Sequence, residues 1–161
     1  MGSLVREMLS KDIERVQDIA RVSWHATYEG MIPRAIQDCF LDAAYSTSMM
    51  NTRLQNSNLF VVEDENEVVG FADFSQVDEG VKSELRAIYL YPDRQGKGLG
   101  SALIQKGIEV LGEMREIVVE VEKENLVGRK FYEAIGFETV KEYDDHFDGH
   151  MLKTIQMKWI L

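Results

Sequence analysis

The chain has 161 residues, enough for one domain with a sizeable core, and its 45% hydrophobic and 29% charged content is that of an ordinary globule. Its 18 basic and 28 acidic residues leave a net charge of −10 with no basic stripe, which argues against a nucleic-acid partner. Cys39 is the only cysteine, no apolar run approaches membrane-spanning length, and the N-terminus lacks a signal peptide's basic and apolar regions, so one cytoplasmic domain over residues 1–161 is expected, with no disulfide and no membrane contact.

The pattern predicts a short first strand over Leu4–Met8 and then a helix capped by Ser10 and running to about Tyr28, with Ile13, Val16, Ile19, Ala20 and Trp24 on one face. Pro33 marks the start of a second helix to about Cys39, where the thiol is expected to be a small buried residue. Asp42 to about Leu54 reads as helical again. Asn58–Glu63 and Val68–Ser75 are two strands around a turn at Asp64-Glu65-Asn66. Glu84–Leu90 is the next strand, and Leu99–Leu111 is an amphipathic helix with Leu103, Ile104, Ile108 and Leu111 apolar. A strand over Ile117–Glu122, a short helix over Asn125–Ala134, and strands over Phe137–Tyr143 and Leu152–Ile160 complete a mixed α/β chain.

Between the strand ending at Leu90 and the helix opening at Leu99 lies Tyr91-Pro92-Asp93-Arg94-Gln95-Gly96-Lys97-Gly98. A strand that breaks at proline, passes through glycines and opens a helix can cradle a phosphate. Residues without side chains let backbone N–H groups approach an anion, and the helix N-terminus adds unpaired donors and its dipole. The spacing is neither that of the ATP-binding P-loop nor G-x-G-x-x-G. Gln95-x-x-Gly98-x-Gly100 instead resembles the pyrophosphate loop of the GCN5-related N-acetyltransferase (GNAT) superfamily. A second block, Asn125-Leu126-Val127-Gly128-Arg129-Lys130-Phe131-Tyr132-Glu133-Ala134-Ile135-Gly136-Phe137, resembles that family's Asn-x-x-Ala-x-x-Phe-Tyr-x-x-x-Gly-Phe. Gly128 departs from the usual alanine, at a propensity cost of roughly 1 kcal/mol.

The resemblance implies the GNAT fold: a central, mostly antiparallel mixed sheet of about seven strands, splayed at the cofactor site, with about four helices. It implies acetyl-CoA as cosubstrate and transfer of acetyl to a primary amine by direct attack in a ternary complex. Gln95, Gly96, Lys97, Gly98, Leu99, Gly100 and Ser101 would then face the pyrophosphate, and Ile88, Tyr89 and Leu90 would pair with the pantetheine arm. Asn125 would bond that arm and also cap its helix. Tyr132 matches the family tyrosine that protonates the leaving thiolate. Glu84 is a candidate general base, with Glu120 a second. Trp24 and Tyr28, in a Trp24–Pro33 stretch resembling many bacterial members, would form one wall of the acceptor site, and equally suit a core staple at i, i+4. Pairing through C-terminal strands is frequent in the family, so a homodimer is expected.

Acidic residues gather at Asp78-Glu79, at Glu120 to Glu124 and at Glu142 to Asp148. Those near the cleft favour a small cationic acceptor such as a polyamine or an amino sugar. The overall plan also resembles the polyamine acetyltransferases of the family. Acetylation of protein N-termini, and acetyl-CoA sensing with little activity, are the alternatives. Asp144-Asp145-His146-Phe147-Asp148-Gly149-His150 holds metal-ligand types, but Asp148-Gly149 reads as a strand-to-strand turn, and no metal is expected.

Overall fold

The alternating stretches of the chain join into one sheet of seven strands. In the computed structural model, which describes residues 2–79 and 81–161, the elements are β1 (Ser3–Glu7), α1 (Ile13–Tyr28), α2 (Arg34–Ala44), α3 (Thr47–Asn56), β2 (Asn58–Asp64), β3 (Glu67–Phe74) and β4 (Lys82–Leu90). There follow α4 (Leu99–Leu111), β5 (Glu116–Glu122), α5 (Leu126–Ile135), β6 (Glu138–Phe147) and β7 (His150–Ile160). The strand order is β1-β2-β3-β4-β5-β7-β6. All neighbours are antiparallel except β4 and β5, whose connection crosses over through α4.

Period-two alternation divides the core between the two faces of this sheet. Leu59, Val61 and Phe71 face α1, α2 and α3 together with Val16, Ile19, Trp24 and Met50. Phe60, Val62, Ala72 and Phe74 face the other way, onto Leu103 and Ile104 of α4. The β2–β3 turn is Glu65-Asn66, both at positive φ (53° and 67°), the backbone that a two-residue hairpin with native twist needs.

The sheet is not paired evenly. β3 and β4 pair as far as Gly70↔Leu90, with a bulge that leaves Arg86 unmatched between Asp73↔Ala87 and Phe74↔Leu85. β4 and β5 pair only over Lys82↔Glu116, Ser83↔Ile117 and Glu84↔Val118. Beyond Glu84 they part, and β5 continues against β7 alone up to Glu122↔Thr154. The expected splay therefore opens between Leu85–Leu90 and Val119–Glu122.

Four expectations need correction. Ser10 does not cap α1. It begins a 3-10 turn, and the Asp12 carboxylate accepts from the Leu9 N–H at 2.9 Å and from Arg6 at 2.8 and 3.0 Å. Cys39 is exposed, because α2 presents Gln37 and Leu41 to the core instead. The break between the two helices after Pro33 falls later than expected, at Tyr45-Ser46 instead of before Asp42, because the Ser46 hydroxyl accepts from the Met49 N–H and starts α3 there. The last two strands are longer than their apolar residues suggest and meet at Asp148-Gly149, so that Asp144 lies within β6 and ion-pairs with Lys153 of β7 at 2.9 Å.

Candidate active site

Parting β4 from β5 exposes a strand edge, and two clefts meet there. The first, of about 670 Å³, runs from the loop before α4 through the splay to α5. The second, of about 560 Å³, lies on the α1–α3 side of the sheet. They share Tyr28, the β4 segment from Leu85 to Ala87, Tyr89, and the β5 carboxylates Glu120 and Glu122.

The loop end of the first cleft is built to take an anion. Gly98 stands at φ +80° immediately before α4, a left-handed conformation that glycine adopts without cost. Among the described residues, the N–H groups from Gly96 to Ser101 have no acceptor, and no side chain caps the helix. Gly100 is needed for a different reason: a Cβ there would lie 2.9 Å from the Phe131 ring, so glycine lets α5 close over the start of α4. These free donors, with the helix dipole behind them, fit a pyrophosphate.

The predicted cofactor residues Ile88, Tyr89, Leu90, Gln95, Gly96, Gly98, Leu99, Gly100, Ser101, Asn125 and Tyr132 all line this cleft. Lys97 does not; its side chain is exposed outside the lining. Asn125 Oδ1 accepts from the Gly128 N–H at 3.0 Å, which caps α5. A Cβ on residue 128 would come within 2.8 Å of the Asn125 amide, so Gly128 allows this cap to sit close. Leu90 is fixed from the helical side, its carbonyl accepting from the Ser23 hydroxyl at 2.8 Å.

Tyr132 is packed edge-on to Phe131 and Phe137. Burial, and then the charge of Glu122, push its hydroxyl above the ordinary phenol range, so it stays protonated at neutral pH. Tyr28 and Tyr89 are raised in the same way, first by burial and then by neighbouring hydroxyls and Glu122.

The second cleft holds Glu84, Glu120, Glu122, Asp73 and Asp145 against Arg53 and Arg86. Trp24 and Tyr28 are core residues, 6% and 5% exposed with ring centroids 4.5 Å apart, and both also line this cleft. His25 faces elsewhere, onto Asp38 at 2.8 Å. Asp73 is buried with Arg53 3.5 Å away, and Arg53 lies over the Tyr45 ring at 4.5 Å. Burial raises the Asp73 carboxyl, and Arg53 and Arg86 counter that rise.

The sequence pattern points to Glu84 and Glu120 as candidate bases but not to Glu122, and it does not mark Ser23 or the Asp73–Arg53 pair. A signal for Glu122 was available. Ile117, Val119 and Val121 fill the α4 side, so alternation places Glu120 and Glu122 together on the opposite face.

The family described as "Acetyltransferase (GNAT) family" matches residues 14–137. The uncharacterized N-acetyltransferase YuaI of Bacillus subtilis is 33% identical over 157 residues, covering 91% of this chain and 88% of YuaI. A spermidine N(1)-acetyltransferase of Thermoplasma acidophilum is 25% identical over 145 residues, covering 85% of this chain and 89% of that protein. Among solved structures, the PaiA N-acetyltransferase of Thermoplasma acidophilum, in complex with coenzyme A, superposes with a TM-score of 0.85 at 21% identity, with 100% of both chains covered.

Proposed function

The chain belongs to the GNAT family of acetyltransferases, and on that premise we propose that it transfers acetyl from acetyl-CoA to the primary amine of a small cationic acceptor, such as a polyamine or an amino sugar, within a ternary complex. One observation carries this reading: a cleft ending in free amides meets a cleft lined by carboxylates at the unpaired edge of β4. The similarity to a spermidine acetyltransferase supports the choice of acceptor. A cytoplasmic location fits both substrates.

Bound acetyl-CoA supplies an activated acyl group as a thioester. The protein's part begins with the amides from Gly96 to Ser101, which hold the pyrophosphate. The free edge of β4 at Ile88–Leu90 offers backbone groups to the pantetheine amides as a neighbouring strand would. A β4 N–H near Leu90 polarises the thioester carbonyl as negative charge develops on its oxygen. Carboxylates on the acceptor side attract the ammonium, and one of them takes its proton; Glu84 and Glu120 are the two that sequence reading selects. Tyr132 gives its hydroxyl proton to the leaving sulfur. Holding both reactants at one junction removes much of the entropy from the barrier.

The test is thiol release from acetyl-CoA against polyamines, aminoglycosides, amino acids and short peptides. Turnover with polyamines or amino sugars is the expected result. Turnover with peptides alone would reassign the acceptor, and silence alongside calorimetric CoA binding would make the protein a sensor. With an active amine in hand, Tyr132→Phe should lower kcat at least about tenfold with CoA affinity nearly unchanged. An unchanged kcat would remove Tyr132 from the acid role.

A further inference from the structure

Glu122 has no assigned role, and it stands where the two clefts join. Counting along β5 from the last pair, Glu84↔Val118, brings Glu120 abreast of Arg86 and Glu122 abreast of Ile88, well inside the splay. Glu84 lines the acceptor cleft alone, whereas Glu122 lines both. Glu120 is exposed, with the Gln156 amide 3.5 Å away. Glu122 is half-buried, and its Oε1 is shielded from solvent with no hydrogen-bond donor among the described residues.

The surroundings of Glu122 are not those of a structural ion pair. Facing it are the hydroxyls of Tyr28 from α1, Tyr89 from β4 and Tyr132 from α5, together with the Asn125 amide. Thr154 lies opposite on β7. The nearest carboxylates are Asp145 of β6 and Glu120 of its own strand. Arg53 and Arg86 line the same second cleft, where Arg53 is paired with Asp73, and no salt bridge to Glu122 exists among the described residues. A carboxylate kept partly dry, in no ion pair and open to both clefts lacks a partner that an ammonium would provide.

We propose that Glu122 is the general base, the group that takes the proton from the acceptor's ammonium before attack. This rests on the acetyl-transfer reading above. The N–H bond breaks and its proton passes to the Glu122 carboxylate, leaving the nitrogen lone pair free. The C–N bond forms as the C–S bond breaks, and the electron pair leaves on sulfur, which receives the Tyr132 hydroxyl proton. The second amine proton restores Tyr132, and Glu122 releases its own to solvent, so one proton is lost per turnover. Burial raises the Glu122 carboxyl above the ordinary range, tempered by the Tyr28 hydroxyl and the Asn125 amide, and this makes it a stronger base than an exposed glutamate.

The experiment follows kcat and KM from pH 6 to 10, with spermidine and acetyl-CoA, for the wild type, Glu122→Gln, Glu84→Gln and Glu120→Gln. Glu124→Gln, exposed in the turn after β5 and outside both clefts, is the control. Glu122→Gln should lose about 100-fold or more in kcat at neutral pH, keep the acetyl-CoA KM within about twofold, and recover as rising pH deprotonates the amine directly. A kcat near that of the control, a loss confined to the acetyl-CoA KM, or the same pH-dependent loss in Glu84→Gln or Glu120→Gln instead would overturn the assignment. If the wild type acetylates neither spermidine nor any amine of the panel, the acetyl-transfer reading fails by itself. Carbon-13 titration of the glutamate carboxyls, assigned with Glu122→Gln, then decides the point. A Glu122 carboxyl titrating near the ordinary value of about 4.3 and unmoved by spermidine overturns the proposal. One titrating higher and moved by spermidine supports it.

Discussion

α1 and α4 begin in opposite ways. At the start of α1 the chain closes its own helix end with the Ser10–Asp12 3-10 turn, in which the Leu9 and Ser10 carbonyls accept from the Asp12 and Ile13 N–H groups. Asp12, 5% exposed, holds this turn by taking the Leu9 N–H on its carboxylate, and is gripped by the two terminal nitrogens of Arg6, whose Nε also reaches Glu63 at 2.6 Å. At the start of α4 neither a backbone turn nor a side chain does this, and the amides from Gly96 to Ser101 are left free among the described residues. An unfilled helix end forgoes about 1 kcal/mol of capping. The difference teaches where stability has been yielded to binding: the closed end anchors the fold, and the open end waits for an anion from outside.

Filling the open end should have the largest effect. Gly98→Asp places a carboxylate where the pyrophosphate would sit, and it should weaken CoA at least about 100-fold by calorimetry, at a stability cost of about 1–2 kcal/mol from a side chain at φ +80°. Normal affinity in this variant would show that the α4 start is not the phosphate site. Opening the closed end should do the reverse. Asp12→Ala removes the acceptor of the Leu9 N–H that holds the 3-10 turn and one partner of Arg6, so it should cost about 2 kcal/mol in urea unfolding and leave CoA affinity unchanged. A loss of affinity there would mean that the two ends are not independent.

The same contrast can be sharpened with pH. Hydrogen bonding from Arg6 holds the Asp12 carboxyl below its ordinary range in the folded state. Its stabilisation is therefore complete above the unfolded value of about 3.9 and is lost as pH falls through the lower folded value. The stability gap between wild type and Asp12→Asn should be full at neutral pH and close below the ordinary carboxylate range. A gap unchanged in acid would dissociate it from the charge of Asp12. The smallest effect is expected at α5, where the Asn125 side chain both caps the helix and lines the first cleft. Asn125→Ala should cost about 1 kcal/mol of stability together with a modest loss of CoA affinity, the mixed result expected from a shared side chain.

Much of this was legible in the sequence because it is local. Alternation and helical periodicity placed most strands and helices near their observed bounds, the α2–α3 break and the β6–β7 hairpin aside, and the glycines before α4 marked the open helix end before any neighbour was known. The misses depend on distant contacts. Ser10 falls in a 3-10 turn instead of capping α1 because Asp12, which Arg6 of β1 reaches across to grip, holds that turn through the Leu9 N–H. Cys39 looked like a core residue until the rotation of α2 was fixed by Gln37, whose amide donates to the Ile32 carbonyl at 2.8 Å. Glu122 could be assigned to a face by counting. That it is desolvated follows from Tyr28, 94 positions earlier in the chain, lying over it, and no local pattern carries that information.

The position of β7 bears on how the protein is made. β7 follows β6 in the chain yet lies between β5 and β6, so β6 has no hydrogen-bonding neighbour until β7 has been synthesised. On the ribosome, β1 to β4 can assemble with α1 to α4 as they emerge, whereas β5 holds only three residue pairs with β4 and waits for its other side. The nascent chain therefore has to present the cofactor loop on a half-built sheet. The splay, and with it the junction of the two clefts, takes shape only when the last hairpin docks.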